Sequence, residues 1–518
     1  LKRGISQAGC PESDPVGPLA VIGTPFRRRQ IPRQGSGFLD ILSRSMKPSP
    51  LVQELVDIVG EQAVLWRPED LMLYEYDALS SLRQPDAVVF PTCTEEVVGI
   101  VKLAARNDIP VVARGAGTGL SGGAVVTQGG IVIALSRMKR ILHIDLENQR
   151  ARVQPGVVNL DLSLAVADDG YYFVPDPSSQ KACTIGGNVA ENSGGPHTLA
   201  YGVTTNHVLG LEVVLADGNV VHTGAVFWDR PGYDLTGLMV GSEGTLGIVT
   251  EITVRLTRQP EDVKTLLGIY DSVADATRTV AAITARGITP AALEMMDGLT
   301  LRAVEEATHA GYPMDSAAVL LMEVEGLREA VEEEVAEIEA ISKENHAREV
   351  RRAKTAAERE LLWKGRKNAF GAIGRIAPNF YVQDGVIPRT RLPEMLEHIE
   401  HVGRKHELPI GNIFHAGDGN LHPLIFFDAR NRKQSQHVLK AAEEILVKCA
   451  EMGGSITGEH GVGIEKKDMM PLIFSSDDLE MMQRLKSAMN PQGMLNPGKV
   501  LPSGKMCGEL RVQVSAGG

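Results

Sequence analysis

The sequence contains no Cys-x-x-Cys pair. Its five cysteines (Cys10, Cys93, Cys183, Cys449 and Cys507) are scattered along 518 residues. That spacing excludes a four-cysteine iron–sulfur site of conventional form and argues against a disulfide framework. A reducing compartment is expected, and electrons handled by this chain must leave through another centre. Long apolar runs are missing too: none reaches the roughly 18 residues that a spanning helix needs. The chain therefore reads as soluble, without a transmembrane segment. An excess of basic charge is also absent, since 53 Lys and Arg stand against 65 Asp and Glu for a net −12. That balance argues against a nucleic-acid-coating surface. There is no internal repeat and no long low-complexity segment. The remaining composition, 43% hydrophobic and 23% charged, is globular, and the length suits two to four domains or two large ones.

Residues 1–45 lack periodicity and lack the apolar core of about 7–15 residues that a secretory signal requires. They read as a disordered or non-native extension, with Met46 expected as the functional start.

What the sequence has in excess is glycine: 54 residues, against an average share of about 7%. The glycines cluster. Leu51, Leu55, Val56 and Val59 predict a helix ending at Gly60. Ala87–Phe90, a helix opened by Thr94 with Val97, Ile100, Val101 and Ala104 on one face, and Ile109–Ala113 predict a β–α–β unit. It delivers the chain to Arg114, Gly115, Ala116, Gly117, Thr118, Gly119, Leu120, Ser121, Gly122 and Gly123. Glycines after a strand let backbone N–H groups approach a pyrophosphate, because no Cβ blocks the way. The nicotinamide fingerprint is not matched, as Leu120 occupies the third glycine's place. Strands are expected at 131–135, 141–144 and 150–153. A second loop region follows: Pro175 and Asp176, then Thr184, Gly186, Gly187, Asn188, Ala190, Asn192, Gly194 and Gly195. Asp217-Gly218 marks a hairpin. Glu243, Gly244, Gly247 and Ile248 form a third loop before a strand at 251–256. Three such loops on a strand-rich scaffold suit a large, elongated cofactor.

Beyond residue 260 helices strengthen. Val331, Val335, Ile338 and Ile341 lie on one face of an amphipathic helix whose acidic residues face mostly elsewhere. His415 and His422 bracket an Asp-Gly turn, so a hairpin can bring them together. Glu459 and His460 lie adjacent in another glycine-rich loop. Two histidines and a carboxylate are a reasonable donor set for a divalent ion with open positions. Arg366, within Trp363–Asn368, could hold a carboxylate or be an ordinary surface arginine.

Taken together, Arg114–Gly123, Pro175–Gly195 and Gly241–Val249 resemble the PCMH-type FAD-binding half of the vanillyl-alcohol oxidase superfamily. Trp363–Asn368, Tyr381–Pro388, His415–His422 and Ser455–Gly463 resemble its FAD-linked oxidase C-terminal domain. Within it the sequence is similar to the D-type flavin subunits of bacterial glycolate oxidases (glycolate dehydrogenases). Leu293–Asp297, Gly365–Phe370 and Leu495–Lys499 share that wording, and the likeness spans about residues 51–500.

The resemblance implies an α+β protein. Residues 46–260 would form an FAD-binding domain of two mixed α/β subdomains. Residues 261–502 would form a substrate and metal domain with an antiparallel sheet and helices, followed by a tail at 503–518. The three loops, together with Asn496, would bind FAD, non-covalently because Thr118 stands where many relatives carry the flavin-linked histidine. His415, His422 and Glu459 would ligate a divalent metal (Zn, Mn or Fe). His460 would act as general base, and Arg366 would anchor the substrate carboxylate. The second anchoring lysine of some relatives is absent from Phe380–Gln383, which favours a small 2-hydroxy acid such as glycolate, with D-lactate as runner-up. A catalytically idle flavoprotein and a metallohydrolase are weaker alternatives. The implied partners are a second FAD-binding subunit and an iron–sulfur subunit. The implied location is the cytoplasm, with peripheral membrane association through those partners allowed.

Overall fold

The computed structural model describes residues 48–78, 83–224 and 232–503. The expected extension at 1–45, the start at Met46 and all but the first residue of the 503–518 tail lie outside the described residues.

The opening helix, Pro50–Val59, starts where the Ser49 hydroxyl accepts the Val52 N–H and stops at Gly60, whose φ of +85° suits glycine. It packs on the helix Thr94–Arg106, whose Val97, Ile100, Val101 and Ala104 are fully buried. That helix crosses over between the parallel strands Ala87–Val89 and Val111–Arg114, with Ile131–Ala134 inserted between them. The expected β–α–β unit is present, and the first glycine loop leaves the end of its second strand.

A second, antiparallel sheet joins Ile141–Asp145, Arg150–Val153, Ile248–Arg255, Val208–Val214 and Val220–Gly224 in that order. The hairpin turns at Asp217-Gly218, where Asp217 Oδ1 accepts the Asn219 N–H and Gly218 has φ +78°. The alternation of Ile248–Arg255 buries Ile248, Thr250, Ile252 and Val254, with Ile252 and Val254 in this subdomain's core and Ile248 reaching that of the first sheet.

The third sheet is antiparallel and begins at Asp262–Tyr270. This strand pairs with Ala318–Gly326, which pairs with Ala292–Asp297, and the last reaches Ile410–His415. Helices Val273–Ala285, Arg328–Glu344, Leu392–His406 and Arg432–Glu451 contribute the core on one face. Gly298–Thr308 and Ala356–Lys367 contribute to the other. Both faces of the sheet are covered, which explains the nearly continuous apolar run of Ala318–Val324.

The chain then returns to the first lobe. Met494 and Leu495 pack in the core beneath the first sheet. The Val111 N–H donates to the Met494 carbonyl at 2.9 Å and the Asn496 N–H to the Val111 carbonyl at 2.7 Å. Buried Lys499 donates from Nζ to the carbonyls of Gly122, Gly123 and Val125. The segment Met494–Lys499 therefore braces the first glycine loop from behind.

Candidate active site

A cleft of about 670 Å³ opens between the lobes, within the size range of cofactor sites. Its first wall consists of Gly115, Ala116, Gly117, Thr118, Gly119, Thr184, Gly187, Asn188, Ala190, Glu243 and Gly244. A smaller pocket continues it past Arg114, Gly186, Gly247 and Ile248. A Cβ on Gly115 would overlap the Thr184 hydroxyl, so the first two loops touch only because residue 115 is glycine. All three glycine loops thus line one cleft and the pocket adjoining it, and their small residues leave backbone groups open to a cofactor such as FAD.

The opposite wall belongs to the second lobe and includes Lys367, Phe370, Phe380, Glu459 and His460. Behind it stand His415 and His422, 4% and 3% exposed. His415 ends the strand Ile410–His415, and His415 pairs with Asn420 across the turn. Gly419, at φ +78°, permits that turn, since a Cβ there would overlap the Ile387 carbonyl. The two rings lie 5.2 Å apart, edge-on. Glu459 Oε1 is 3.2 Å from His415 Nε2 and 3.1 Å from His422 Nε2. His460 stacks on His422 at 4.8 Å.

Each metal-candidate histidine is oriented from behind. His415 Nδ1 meets Glu294 Oε1 at 2.7 Å, and His422 Nδ1 meets the Gln383 carbonyl at 3.2 Å. A carbonyl can only accept, so His422 Nδ1 carries the proton and a neutral His422 turns a lone pair toward Glu459. His422 Nε2, buried without a hydrogen-bond partner, leaves a position that a cation would fill. Burial opposes charge on His415, yet Glu294 and Glu459 hold its pKa well above the ordinary value. Burial likewise works against the Glu459 carboxylate, but His415 and His422 pull its pKa well below the usual range. Anionic oxygens gathered on imidazoles with fixed outer partners form a donor set that fits a divalent ion. For His460 burial outweighs the pull of Asp384, and its pKa falls to about 4. Its imidazole is neutral at pH 7.

The loop carrying Glu459 and His460 is organised by Asp384, which is fully buried. Asp384 Oδ2 accepts the Thr457 hydroxyl at 2.6 Å, the Gly458 N–H at 3.1 Å and the His460 N–H at 2.9 Å. Lys466 Nζ lies 3.1 Å from the same oxygen. Burial would raise the Asp384 pKa, but Lys466, His460 and His422 bring it well below the usual range. On the far side Glu243 accepts the N–H groups of Val462 and Gly463, which ties the third glycine loop to the same segment.

Several residues expected at the cofactor lie outside the cleft lining and contact neighbouring segments. Asp176 is engaged by His197 at 2.9 Å and Lys367 at 3.2 Å. Gly195 packs against Asp176, and Gly194 against Thr198 and Glu459. The Pro175 carbonyl accepts Asn159 Nδ2, Asn192 Oδ1 accepts the Thr205 N–H, and Asn496 Nδ2 donates to the Gly123 and Glu243 carbonyls. Ser121 is fully buried, its carbonyl accepting the Ile464 N–H, and the Gly122 carbonyl accepts Lys499. These side-chain and carbonyl groups are engaged in fixing loop shape. Arg366 is only 2% exposed, and its Nη2 lies 2.6 Å from Glu294 Oε2. Its Nε has no hydrogen-bond partner.

Sequence reasoning missed Glu294, Gln383, Asp384, Lys466, Lys367 and Lys499. Glu294 is the one polar residue in an otherwise apolar run, which was its available signal. Asp384 was hidden in an Asp-Gly pair that reads as a turn.

Family models match both lobes: "FAD binding domain" over residues 85–224 and "FAD linked oxidases, C-terminal domain" over residues 259–500. "Glycolate oxidase subunit GlcD" of Escherichia coli (strain K12) is 47% identical over 86% of this chain and 90% of its own length. The protein of that name from Bacillus subtilis (strain 168) is 43% identical over 86% and 96%. "Probable D-lactate dehydrogenase, mitochondrial" of Danio rerio is more distant, 33% identical over 82% and 86%. Among solved structures, p-cresol methylhydroxylase with substrate bound shares the fold at TM-score 0.74 and 19% identity, over 87% of this chain and 96% of that one. Both lobes, the joined glycine loops and these relatives agree: the chain belongs to the FAD-linked oxidases, in the family of the glycolate oxidase GlcD subunits.

Proposed function

We propose that this protein oxidises a small 2-hydroxy acid, glycolate to glyoxylate, in an FAD-dependent reaction. The observation that carries the reading is the position of Glu459 and His460, backed by His415 and His422, on the cleft wall facing the three glycine loops. The identities of 47% and 43% to glycolate oxidase subunits, against 33% to a D-lactate dehydrogenase, favour glycolate over D-lactate.

The residues divide the work by their chemistry. His460, neutral and on the cleft wall, takes the proton of the substrate hydroxyl. His415, His422 and Glu459 would hold a divalent ion that polarises that hydroxyl and lowers its pKa. Lys367 offers a positive charge to the substrate carboxylate from the cleft wall, while Arg366, buried outside that lining, holds the Glu294 that orients His415. FAD, when bound along the glycine loops, supplies the acceptor for the hydride leaving Cα. Thr118 lines the cleft with no imidazole at its position, which supports a dissociable cofactor.

The GlcD relatives are named as subunits, and the sequence holds no Cys-x-x-Cys pair of the kind that ligates a cluster. Both support electron transfer to a second flavin subunit and an iron–sulfur subunit, with peripheral membrane association through them. Among the described residues no helix is long and apolar enough to cross a membrane. The test is anaerobic mixing of FAD- and metal-loaded protein with each acid. Bleaching by glycolate, slower or weaker with D-lactate, supports the reading; bleaching by neither refutes it.

A further inference from the structure

A second cavity shares a strand with the cleft. Neighbouring side chains on a strand point to opposite faces. On Asn379–Val382, Phe380 lines the cleft whereas Tyr381 lines this other cavity. It encloses about 500 Å³, within the usual range for small-molecule sites. Leu446, Met469, Leu472 and Phe474 give it apolar walls, between the helix Arg432–Glu451 and the segment that follows Lys466.

Its polar groups restrict what can enter. Gln383 lines the cavity and is 3% exposed, and its Oε1 receives no hydrogen bond. A buried acceptor without a donor is costly, so a ligand that brings one is favoured. Glu443, Glu465 and Asp468 also line the cavity, while Lys466, the one lining cation among the described residues, is already held by Asp384. Burial raises the Glu465 pKa, a further sign that negative charge is unwelcome there. An anionic ligand is disfavoured on both counts.

We propose that this cavity is an effector site for a neutral amphipathic molecule, with an apolar ring-sized body and one O–H or N–H that donates to Gln383 Oε1. Two cavity residues connect it to the reaction. The Gln383 backbone carbonyl orients His422, and Lys466 pairs with the Asp384 that holds the Glu459–His460 loop. A ligand that fixes these two residues changes the cleft wall without entering the cleft.

The test uses full-length, FAD-loaded protein and two neutral probes of nearly equal shape, 1-naphthol and 1-methoxynaphthalene, only the first of which can donate. One hydrogen bond predicts roughly 2- to 10-fold tighter binding of 1-naphthol. Gln383→Leu should remove that preference while sparing FAD binding. Leu472→Trp should abolish binding of both probes, with Leu439→Trp at the rim as a second blocking variant should the first not fold. Saturating 1-naphthol should shift the KM for glycolate in the wild type and not in the blocked variant. Equal affinity for the two probes, binding that survives both blocking variants, or an unchanged KM and kcat at saturation would each overturn the proposal. The coupling rests on the proposed glycolate reaction, but the probe preference does not. Failure of glycolate turnover with intact probe selectivity would sink the reaction and keep the site.

Discussion

Replacing Asp384 by Asn tests how the reactive loop is held. The substitution keeps the shape of the side chain and removes its charge. It leaves Lys466, 1% exposed, buried without its counter-charge. Breaking a buried ion pair from one side costs about 3–5 kcal/mol. The N–H groups of Gly458 and His460 and the Thr457 hydroxyl also lose an anionic acceptor. Urea denaturation of FAD-loaded protein should therefore show a loss of about 3 kcal/mol or more. Turnover should fall further than stability explains, because Glu459 and His460 ride on the loop. Adding Lys466→Met to Asp384→Asn removes the orphaned charge and should restore most of the stability but little of the activity. A cost below about 1 kcal/mol for Asp384→Asn, or no recovery in the double variant, would refute the reasoning.

Other consequences can be checked independently. Burial lowers the His197 pKa, but Asp176 and Glu323 outweigh it and raise it from 6.5 to about 10. A raised folded pKa gives stability that is complete below pH 6.5 and lost as pH rises toward about 10. Stability should decline across that window, by about 2 kcal/mol if the smaller shift of its partner Asp176, from 3.8 to about 2, sets the scale. His197→Gln should flatten the decline, and an unchanged slope would contradict the assignment. Glu294→Gln should weaken binding of the divalent ion about 10- to 100-fold, measured by metal titration, since it orients His415 from behind. Gly461 has φ +84°, and a Cβ there would overlap Glu191. Gly461→Ala should cost about 1–3 kcal/mol in the same urea assay.

Local grammar was legible wherever the residues themselves carry the constraint. The β–α–β unit follows from the helix face of Val97, Ile100, Val101 and Ala104, and the hairpin at Asp217-Gly218 from its turn chemistry. The His415–His422 hairpin followed in the same way. Convergence was less visible, because it depends on contacts between distant segments. Glu294 and His415 are 121 positions apart, and Asp384 and His460 are 76 apart. No periodicity links them. Residues of all three glycine loops line the cleft and its smaller continuation, but sequence does not tell which residue of a loop turns to the cavity. Asp176 pairs with His197 and Lys367, and Asn496 donates to neighbouring carbonyls, partners that sequence position does not announce. The return of Met494 and Leu495 into the first core is likewise a tertiary event.

The central claim is that the cleft oxidises a small 2-hydroxy acid through the His415, His422, Glu459 and His460 group. The most direct measurement is an anaerobic glycolate titration of FAD-loaded protein, with metal content determined on the same sample and Glu459→Gln run beside it. The account predicts stoichiometric bleaching in the wild type, lost together with bound metal in Glu459→Gln. Flavin that stays oxidised in the metal-loaded wild type, or bleaches equally well in metal-free Glu459→Gln, would contradict it.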